Sequence, residues 1–317
     1  MNKTLKSIAL FVIVISVLVV LISCNETKIN STNADNNIAK VENNNTKPLK
    51  LAETLSKEFN DYWYSGEAEI SSFKFEQARY GEMRQGTAVL VYVTEDFLPE
   101  QQVKADTYDK NNTKVLKLNA TKNFNTGIYP YSIMQSTFYP VANNQHAVKI
   151  SASIQEWCGQ VYAQLNNRSN FEVTAHSYFQ SEGDQNLSLE KTVTENEIWT
   201  QLRINPQSLP TGDFMVLPSL EFIRLKHQKF KALKANATLG NNTYNLYYPE
   251  LDRTLSITFN SNFPYYIVSW EDTYRDGYGP YAKKLTTKAT RIKTIKSAYW
   301  GKNSNADEGL RAELGLE

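Results

Sequence analysis

The chain has 317 residues, of which 34 are Lys or Arg and 33 are Asp or Glu, and its formal net charge is +1. Because no basic face or stripe can be found in this balanced composition, we expect no nucleic-acid partner. The chain has two cysteines and three histidines, and their spacing is not that of metal ligands, so we predict no metal site. It also lacks nucleotide-binding and hydrolase motifs, so we predict no cofactor and assign no catalytic residue.

The first 23 residues have the layout of a secretory signal peptide. Lys3 and Lys6 precede an apolar run over 8–22, which is shorter than the roughly 20 residues of a membrane-spanning helix. The run ends at Leu21-Ile22-Ser23-Cys24, which resembles the lipobox of bacterial lipoproteins. The resemblance implies that the signal is removed before Cys24 and that acyl chains on Cys24 attach the chain to a membrane. An uncleaved signal anchor is the alternative.

Residues 24–50 are predicted to form a lipidated flexible tether. The segment is rich in Asn and has no aromatic residue, so it cannot bury enough apolar surface to offset the entropy of ordering. Asn25-Glu26 does not resemble the Asp that retains lipoproteins at the inner membrane of enteric bacteria. We therefore expect a lipid-anchored protein on the periplasmic face of the outer membrane, and exposure at the cell surface stays open.

Residues 51–317 are predicted to form a β-rich periplasmic domain that begins with one amphipathic helix. Leu51, Leu55, Phe59 and Tyr62 recur at helical spacing. From Gly66 onward apolar and polar residues alternate, as in Phe171-Glu172-Val173-Thr174-Ala175-His176, which is typical of half-buried strands. Similar strand-like runs lie over 87–93 and near 113–124, 127–139, 146–155, 198–204, 219–234, 243–248, 254–260, 265–273 and 287–299.

The pattern lacks the alternation of strands and helices that a parallel nucleotide-binding sheet requires. Many consecutive antiparallel strands must hide their edges, so we predict a mainly β fold with a large antiparallel curved sheet or open barrel. The prolines and glycine of 208–219 indicate an alternative with two β halves. The expected architecture is loosely similar to the periplasmic fold of lipoprotein carriers such as LolA, a similarity that assigns no residues.

The stretch Trp157-Cys158-Gly159 matches the start of a thioredoxin active-site loop, but the second cysteine of that motif is absent. Apolar residues occupy even-numbered positions before 156 and odd-numbered positions after it, so the buried face of the strand switches across 156–159. This predicts a bulge or tight turn there, with Gly159 as the residue best able to adopt its backbone conformation. We expect Cys158 to be a buried or half-buried small apolar residue rather than a nucleophile.

Asp272 to Gly277 resembles the start of a calcium loop, but its later ligands are missing, and a hairpin turn at Asp276-Gly277 is predicted instead.

The most distinctive feature is the aromatic content, with 19 tyrosines. Packing in the core and across strands is the plainer interpretation, and an aromatic-lined groove for an acyl chain or a sugar is the functional one. The candidate ligand-binding residues are Tyr129, Tyr131, Trp157, Tyr265 and Trp270.

Phe263 to Glu271 and Gln155 to Gly159 resemble uncharacterised envelope lipoproteins of Gram-negative bacteria. Proteins of this appearance are sometimes labelled septum formation inhibitor Maf, a family whose S-x-R-R loop this sequence lacks. Our leading hypothesis from the whole sequence is a non-catalytic, lipid-anchored periplasmic β protein that binds an apolar or envelope-derived ligand, such as a lipid, or a partner protein. An envelope hydrolase that uses Asp and Glu is the alternative, because paired carboxylates leave no sequence signature. A purely structural assembly factor is a third hypothesis.

Overall fold

A computed structural model describes residues 55–142 and 145–316. The predicted signal peptide, Cys24 and the predicted tether lie outside these residues. The described residues belong to a unit that spans Lys50–Glu317. None of the helices in the described ranges has the length and apolar character of a transmembrane helix.

Sixteen strands in the described residues join into one curved sheet that does not close into a barrel. This confirms the prediction of a mainly β fold with a large antiparallel curved sheet. The strands are β1 (Ala68–Arg79), β2 (Glu82–Leu98), β3 (Val103–Lys104), β4 (Thr113–Thr126), β5 (Tyr129–Pro140), β6 (Lys149–Glu156), β7 (Gly159–Asn167), β8 (Phe171–Ser177), β9 (Gln185–Leu189), β10 (Val193–Thr194), β11 (Gly212–Leu217), β12 (Leu233–Gly240), β13 (Thr243–Tyr248), β14 (Arg253–Phe259), β15 (Ile267–Asp276) and β16 (Lys283–Ser297).

Neighbouring strands in the sheet are mostly neighbours along the chain. The order runs from β10 through β11 to β16, then to β1, β2 and β4, and on through β5 to β9, with β3 paired to β2. Every pair is antiparallel except β10 with β11. The first strand therefore lies in the middle of the sheet, between β2 and β16. The predicted boundary at 208–219 contains β11, a strand of this same sheet.

Four short helices within residues 55–142 and 145–316 accompany the sheet: α1 (Lys57–Trp63), α2 (Glu195–Ile204), α3 (Leu220–Leu225) and α4 (Gly309–Glu313). Helix α1 lies where the amphipathic helix was predicted and buries Phe59 and Trp63. The predictions of strands at 198–204 and over the first half of 219–234 were wrong, because these residues form α2 and α3. The part of the chain that the structure describes also has 3-10 turns at Pro206–Ser208, Pro249–Leu251, Gly279–Tyr281, Tyr299–Gly301 and Asn305–Asp307.

Helices α1, α2 and α3 pack against one face of the sheet, which we call the inner face. Phe59, Ile198 and Ile223 from these helices share a core with strand residues such as Phe73 and Leu165. Burial of each large apolar side chain contributes about 1.5–3 kcal/mol, so this core is the main reason the helices stay on the sheet. It also holds the C-terminal end of α3 near the turns that form the candidate site.

Candidate functional site

Six hairpin connections in the described residues gather at one end of the sheet. In a series of antiparallel strands, alternate turns lie at the same end, and this end receives the turns at 80–81, 127–128, 157–158, 178–184, 249–252 and 277–282. The last of these confirms the hairpin predicted at Asp276-Gly277, with a loop of 277–282. Aromatic side chains are concentrated here, and we call this region the aromatic end: Tyr80, Tyr129, Tyr131, Trp157, Tyr178, Phe179 and Tyr278.

Tyr80 lies at the centre of the aromatic end. Tyr80 and Gly81 form the two-residue turn between β1 and β2 with φ of 58° and 76°, and such a turn needs positive φ at both positions. A bulky residue rarely adopts this conformation. Contacts with other rings hold Tyr80 in place: its hydroxyl lies 2.8 Å from that of Tyr131, and its ring stacks on Tyr278 with centroids 6.2 Å apart.

Three of the five predicted ligand-binding residues come together here. The ring of Tyr129 lies 6.0 Å from that of Tyr131 and 6.4 Å from that of Trp157. Tyr131 is buried, whereas Trp157 is 68% exposed. The group therefore has a buried base and an exposed indole that is available for contact with another molecule.

Trp270 and Tyr265 do not join this group. Trp270 is buried in the core, with its ring centroid 4.8 Å from that of Phe73 and 5.3 Å from that of Trp199. Tyr265 lies in the β14–β15 connection at the other end of the sheet, beside Phe263. Both residues follow the plainer interpretation of the aromatic content, which is packing within the protein.

The predicted tight turn at 156–159 is confirmed. Glu156 pairs with Gly159, so Trp157 and Cys158 form a two-residue hairpin turn that accounts for the change of parity. Cys158 is exposed, and the prediction that it would be buried was wrong, because the central residues of so short a turn project beyond the last strand pair. The hydrogen bond between the Cys158 thiol and Glu156 raises the pKa of Cys158.

Gly159 has a steric reason to be glycine. Its φ is 156°, and a Cβ atom at this position would lie 2.8 Å from a ring carbon of Tyr178. The ring of Tyr178 therefore packs directly against the backbone of the Trp157-Cys158 turn. In this way Tyr178, and Phe179 whose ring centroid is 4.5 Å from it, belong to the same surface as Trp157.

A buried arginine lies beneath the aromatic end. Arg79 is 4% exposed, and its guanidinium carbon lies 4.2 Å from the ring centroid of Tyr80. Its Nη1 donates to the carbonyl of Leu225 at 2.6 Å, and its Nη2 donates to the hydroxyls of Tyr80 and Tyr131 at 3.2 and 3.1 Å. All these acceptors are neutral. Burial by itself lowers the pKa of Arg79, but Tyr131, Tyr80 and Tyr278 together raise that pKa above its usual value.

A second site with polar groups is the cavity between the inner face and the N-terminal ends of α2 and α3. Its volume is about 60 Å³, which is room for about four water molecules and far below the roughly 300–1,000 Å³ of small-molecule pockets. Lys122 donates to both oxygens of Glu221 at 2.8 Å. Arg253 donates to Glu195 at 2.6 and 2.8 Å and to Asp272 at 2.7 and 2.9 Å. Glu195 and Glu221 thereby connect α2 and α3 to the sheet, whereas Asp272 pairs with Arg253 within the sheet.

The environments of Glu195 and Asp272 shift their pKa values in opposite directions. Burial would raise the pKa of Glu195, but the charge of Arg253 and a hydrogen bond from Tyr248 hold it below its usual value. Burial dominates at Asp272 and raises its pKa. Both carboxylates are bound to the same guanidinium.

In residues 55–142 and 145–316, no group of three His, Cys, Asp or Glu side chains is placed to hold a metal ion.

No family model matches the sequence, and no curated protein matches it. Among solved structures, the chain is similar to a β-barrel-like protein of the domain of unknown function DUF1849 from Brucella abortus, with 7% identity, coverage of 73% of this chain and 97% of that chain, and a TM-score of 0.40. A porin-like protein from Bacteroides uniformis has 10% identity, coverage of 71% and 95%, and a TM-score of 0.21. Both TM-scores are below 0.5, so neither similarity bears on the function of this chain.

Sequence reasoning does not identify Arg79 and Tyr80 as part of this site. The available signal is Tyr80-Gly81 between two alternating runs, which is the position of a hairpin turn. Such a turn usually has Asn or Asp at its first position, so the tyrosine at position 80 is the sequence feature that marks this turn as unusual.

Proposed function

We propose that the chain is a non-catalytic, lipid-anchored envelope protein that binds an apolar or envelope-derived ligand at the aromatic end. The observation that carries the proposal is the meeting of Tyr129, Tyr131 and Trp157 with further aromatic side chains at one end of the sheet. Trp157 and Tyr278 are 68% and 66% exposed there. Exposed aromatic surface costs solvation free energy unless a ligand or partner covers it.

The lipobox resemblance at Cys24 supports the anchoring part of the proposal. Acyl chains on Cys24 would attach the domain to a membrane, and Asn25-Glu26, which lacks the inner-membrane retention Asp, favours the periplasmic face of the outer membrane, where apolar ligands are lipids and other envelope components. A partner protein that covers the same aromatic end is a related form of this function.

The carboxylates of the cavity favour binding over hydrolysis. Glu195, Asp272 and Glu221 each accept hydrogen bonds from Arg253 or Lys122 on both carboxylate oxygens. A general base has to be free to take a proton from its substrate. The alternative of an Asp/Glu hydrolase therefore receives no support from these three residues.

Binding of the apolar fluorescent probe N-phenyl-1-naphthylamine to the full chain in a maltoside detergent tests the proposal. We expect Trp157→Ala to weaken binding about tenfold, which corresponds to about 1.4 kcal/mol, the scale of one aromatic contact. The matched control is Trp300→Ala, because Trp300 is 53% exposed and lies outside the aromatic end. Equal affinities for the two variants, or no binding of the probe to the unmodified chain, would reject the proposal.

A further inference from the structure

Arg224 is a buried cation without a polar protein partner. It lies on α3 and is 5% exposed. Among residues 55–142 and 145–316, no group accepts a hydrogen bond from its Nε or Nη1, and none forms an ion pair with it. Its guanidinium carbon lies 4.3 Å from the ring centroid of Phe179. A buried guanidinium that lacks an acceptor is unfavourable unless another molecule supplies one.

Arg79 adds a second buried positive charge next to Arg224. The carbonyl of Leu225, the residue after Arg224, accepts from Arg79. Burial lowers the pKa of Arg224, Glu182 opposes this, and Arg79 adds to the lowering. The two cations therefore repel each other within a buried region, and a negative charge near Arg224 would relieve that repulsion.

The acidic groups around Arg224 are already engaged. Glu182 accepts from Ser177 Oγ at 2.5 Å and lies 2.6 Å from Nδ1 of His227. Glu156 accepts from the backbone N–H of Cys158 at 2.6 Å. Asp276 is also engaged, because it accepts a hydrogen bond from the ammonium of Lys226 at 2.9 Å. No carboxylate in the described ranges lies within ion-pair distance of Arg224, so none of them supplies the hydrogen-bond acceptor that its Nε and Nη1 lack.

Apolar surface lies on both sides of this charge. On one side, Arg224 borders a cavity of about 30 Å³ that is lined mostly by apolar side chains such as Ile154 and Val161, together with the polar side chains of Ser177, Glu182, Gln185 and Gln228. On the other side, Phe179 continues into the exposed ring of Tyr178, which is 56% exposed and packs against the Trp157 turn. The cavity is too small for an alkyl chain, whereas the aromatic end has open surface.

We propose that Arg224 binds the anionic headgroup of an amphipathic ligand, a carboxylate or a phosphate, and that the apolar chain of this ligand lies across Tyr178 and Trp157. A guanidinium forms paired, charge-assisted hydrogen bonds with either group. Arg79 uses its Nη1 and Nη2 within the protein, so it adds positive charge near this site, and its Nε has no acceptor in the described residues. This inference rests on the proposed function, because it specifies the class of ligand that the aromatic end takes.

Three ligands with the same decyl chain test the inference by displacement of N-phenyl-1-naphthylamine from the full chain: decanoate, decyl phosphate and decanol. We expect each anionic ligand to bind at least tenfold more tightly than decanol. Arg224→Gln should remove this preference and leave the affinity for decanol unchanged, and Arg224→Lys should keep part of it. Arg275→Gln is the matched control, because Arg275 is an exposed arginine near the same end whose Nη2 donates to Ala282. It should change nothing.

The outcomes separate this inference from the proposed function. If decanoate, decyl phosphate and decanol bind equally and Arg224→Gln has no effect, the headgroup inference is wrong and the proposed function stands. If none of the three displaces the probe and Trp157→Ala has no effect, the proposed function is wrong as well. Inorganic phosphate alone should bind at least a hundredfold more weakly than decyl phosphate, and equal binding would indicate a free-anion site and overturn the amphipathic ligand.

Because Arg224→Gln removes an unpaired buried charge, we expect its melting temperature to match or exceed that of the unmodified chain. A folded variant with a normal melting temperature makes its ligand preference interpretable. If this variant instead unfolds, Arg224→Lys tests the same preference with the charge retained and the paired hydrogen-bond geometry lost.

Discussion

Arg203 connects α2 to the centre of the sheet, and its removal should destabilise the chain by about 3–5 kcal/mol. Its Nη1 and Nη2 each donate to Glu69 of β1 at 2.6 Å, and its Nε donates to the carbonyl of Pro264 at 2.9 Å. The two charged side chains are 1% and 0% exposed. Burial by itself lowers the pKa of Arg203, but Glu69 raises it above its usual value. In Arg203→Met, the charge of Glu69 would remain buried, with the hydroxyl of Tyr62 as its remaining side-chain donor.

The assay is urea unfolding followed by tryptophan fluorescence. Trp63 is a suitable local probe, because its ring centroid lies 5.1 Å from the guanidinium carbon of Arg203. The double variant Arg203→Met/Glu69→Met should cost much less than either single change, because replacement of a whole buried ion pair by apolar residues is often close to neutral. The resulting double-mutant cycle measures the coupling between the two residues directly.

The control is Arg168→Met, which removes an ion pair with Glu172 at 3.2 Å in which both side chains are exposed. Such a pair contributes about 0–1 kcal/mol. If Arg203→Met costs no more than Arg168→Met, or if the costs of the two single changes at 203 and 69 simply add, the argument from burial is refuted. A loss of about 3–5 kcal/mol would be a large share of the roughly 5–15 kcal/mol that stabilises a typical native protein.

Three further predictions concern the turn at 156–159 and the cavity. Cys158 should react with iodoacetamide in the folded protein, and Glu156→Gln should make it react faster at pH 8, because loss of the carboxylate lowers the raised pKa of the thiol; an unchanged rate would refute this cause. Gly159→Ala should cost about 1–3 kcal/mol in urea unfolding, whereas Gly240→Ala, where a Cβ meets nothing within 4 Å, should stay within about 0.5 kcal/mol; equal costs would contradict the steric argument. The pKa of Glu195 is lowered in the folded state, so its contribution to stability is present above its unfolded value of about 4.3 and is lost as pH falls below it. Glu195→Gln should therefore reduce the slope of unfolding free energy against pH between about 5 and 3, and an unchanged slope would assign the acid sensitivity to other groups.

The strands were largely predictable because one face of the sheet is covered by the core. In β8, Phe171, Val173 and Ala175 are buried and the residues between them are exposed, as the alternation predicted. The pattern has a period of two, and a shift by one residue would move a whole apolar set into water. Local sequence therefore contains most of the information that specifies these strands.

Helices α2 and α3 were not predictable from the same signal. The buried residues of α2 include Glu195, Glu197 and Arg203, so the helix has no clean apolar stripe. Its usable signal is the capping box, in which Thr194 accepts from the backbone of Glu197 and Glu197 accepts from the backbone of Thr194. Helix α3 has six residues, which is too short for helical periodicity to be recognised.

The composition of the aromatic end depends on pairing between distant strands. Tyr80 and Tyr278 stack only because β16, near the end of the chain, pairs with β1 near its beginning. No short window of sequence contains that information, and the same limit explains why Tyr265 and Trp270 were grouped with residues that they do not meet. The turn at Trp157 was recognisable locally, and its neighbours were not.

Three residues at the aromatic end depart from what their local positions favour. Tyr80 has a positive φ that bulky residues avoid, Trp157 exposes most of its indole in a two-residue turn, and Arg224 is buried without a polar partner. Each departure costs free energy in the free protein, and a ligand that covers the indole and pairs with the guanidinium would recover two of the three. Sequences tend to break local rules where function requires it. Because these departures meet at one end of the sheet instead of being spread over it, the binding hypothesis accounts for them better than core packing, which would have buried Trp157 and paired Arg224.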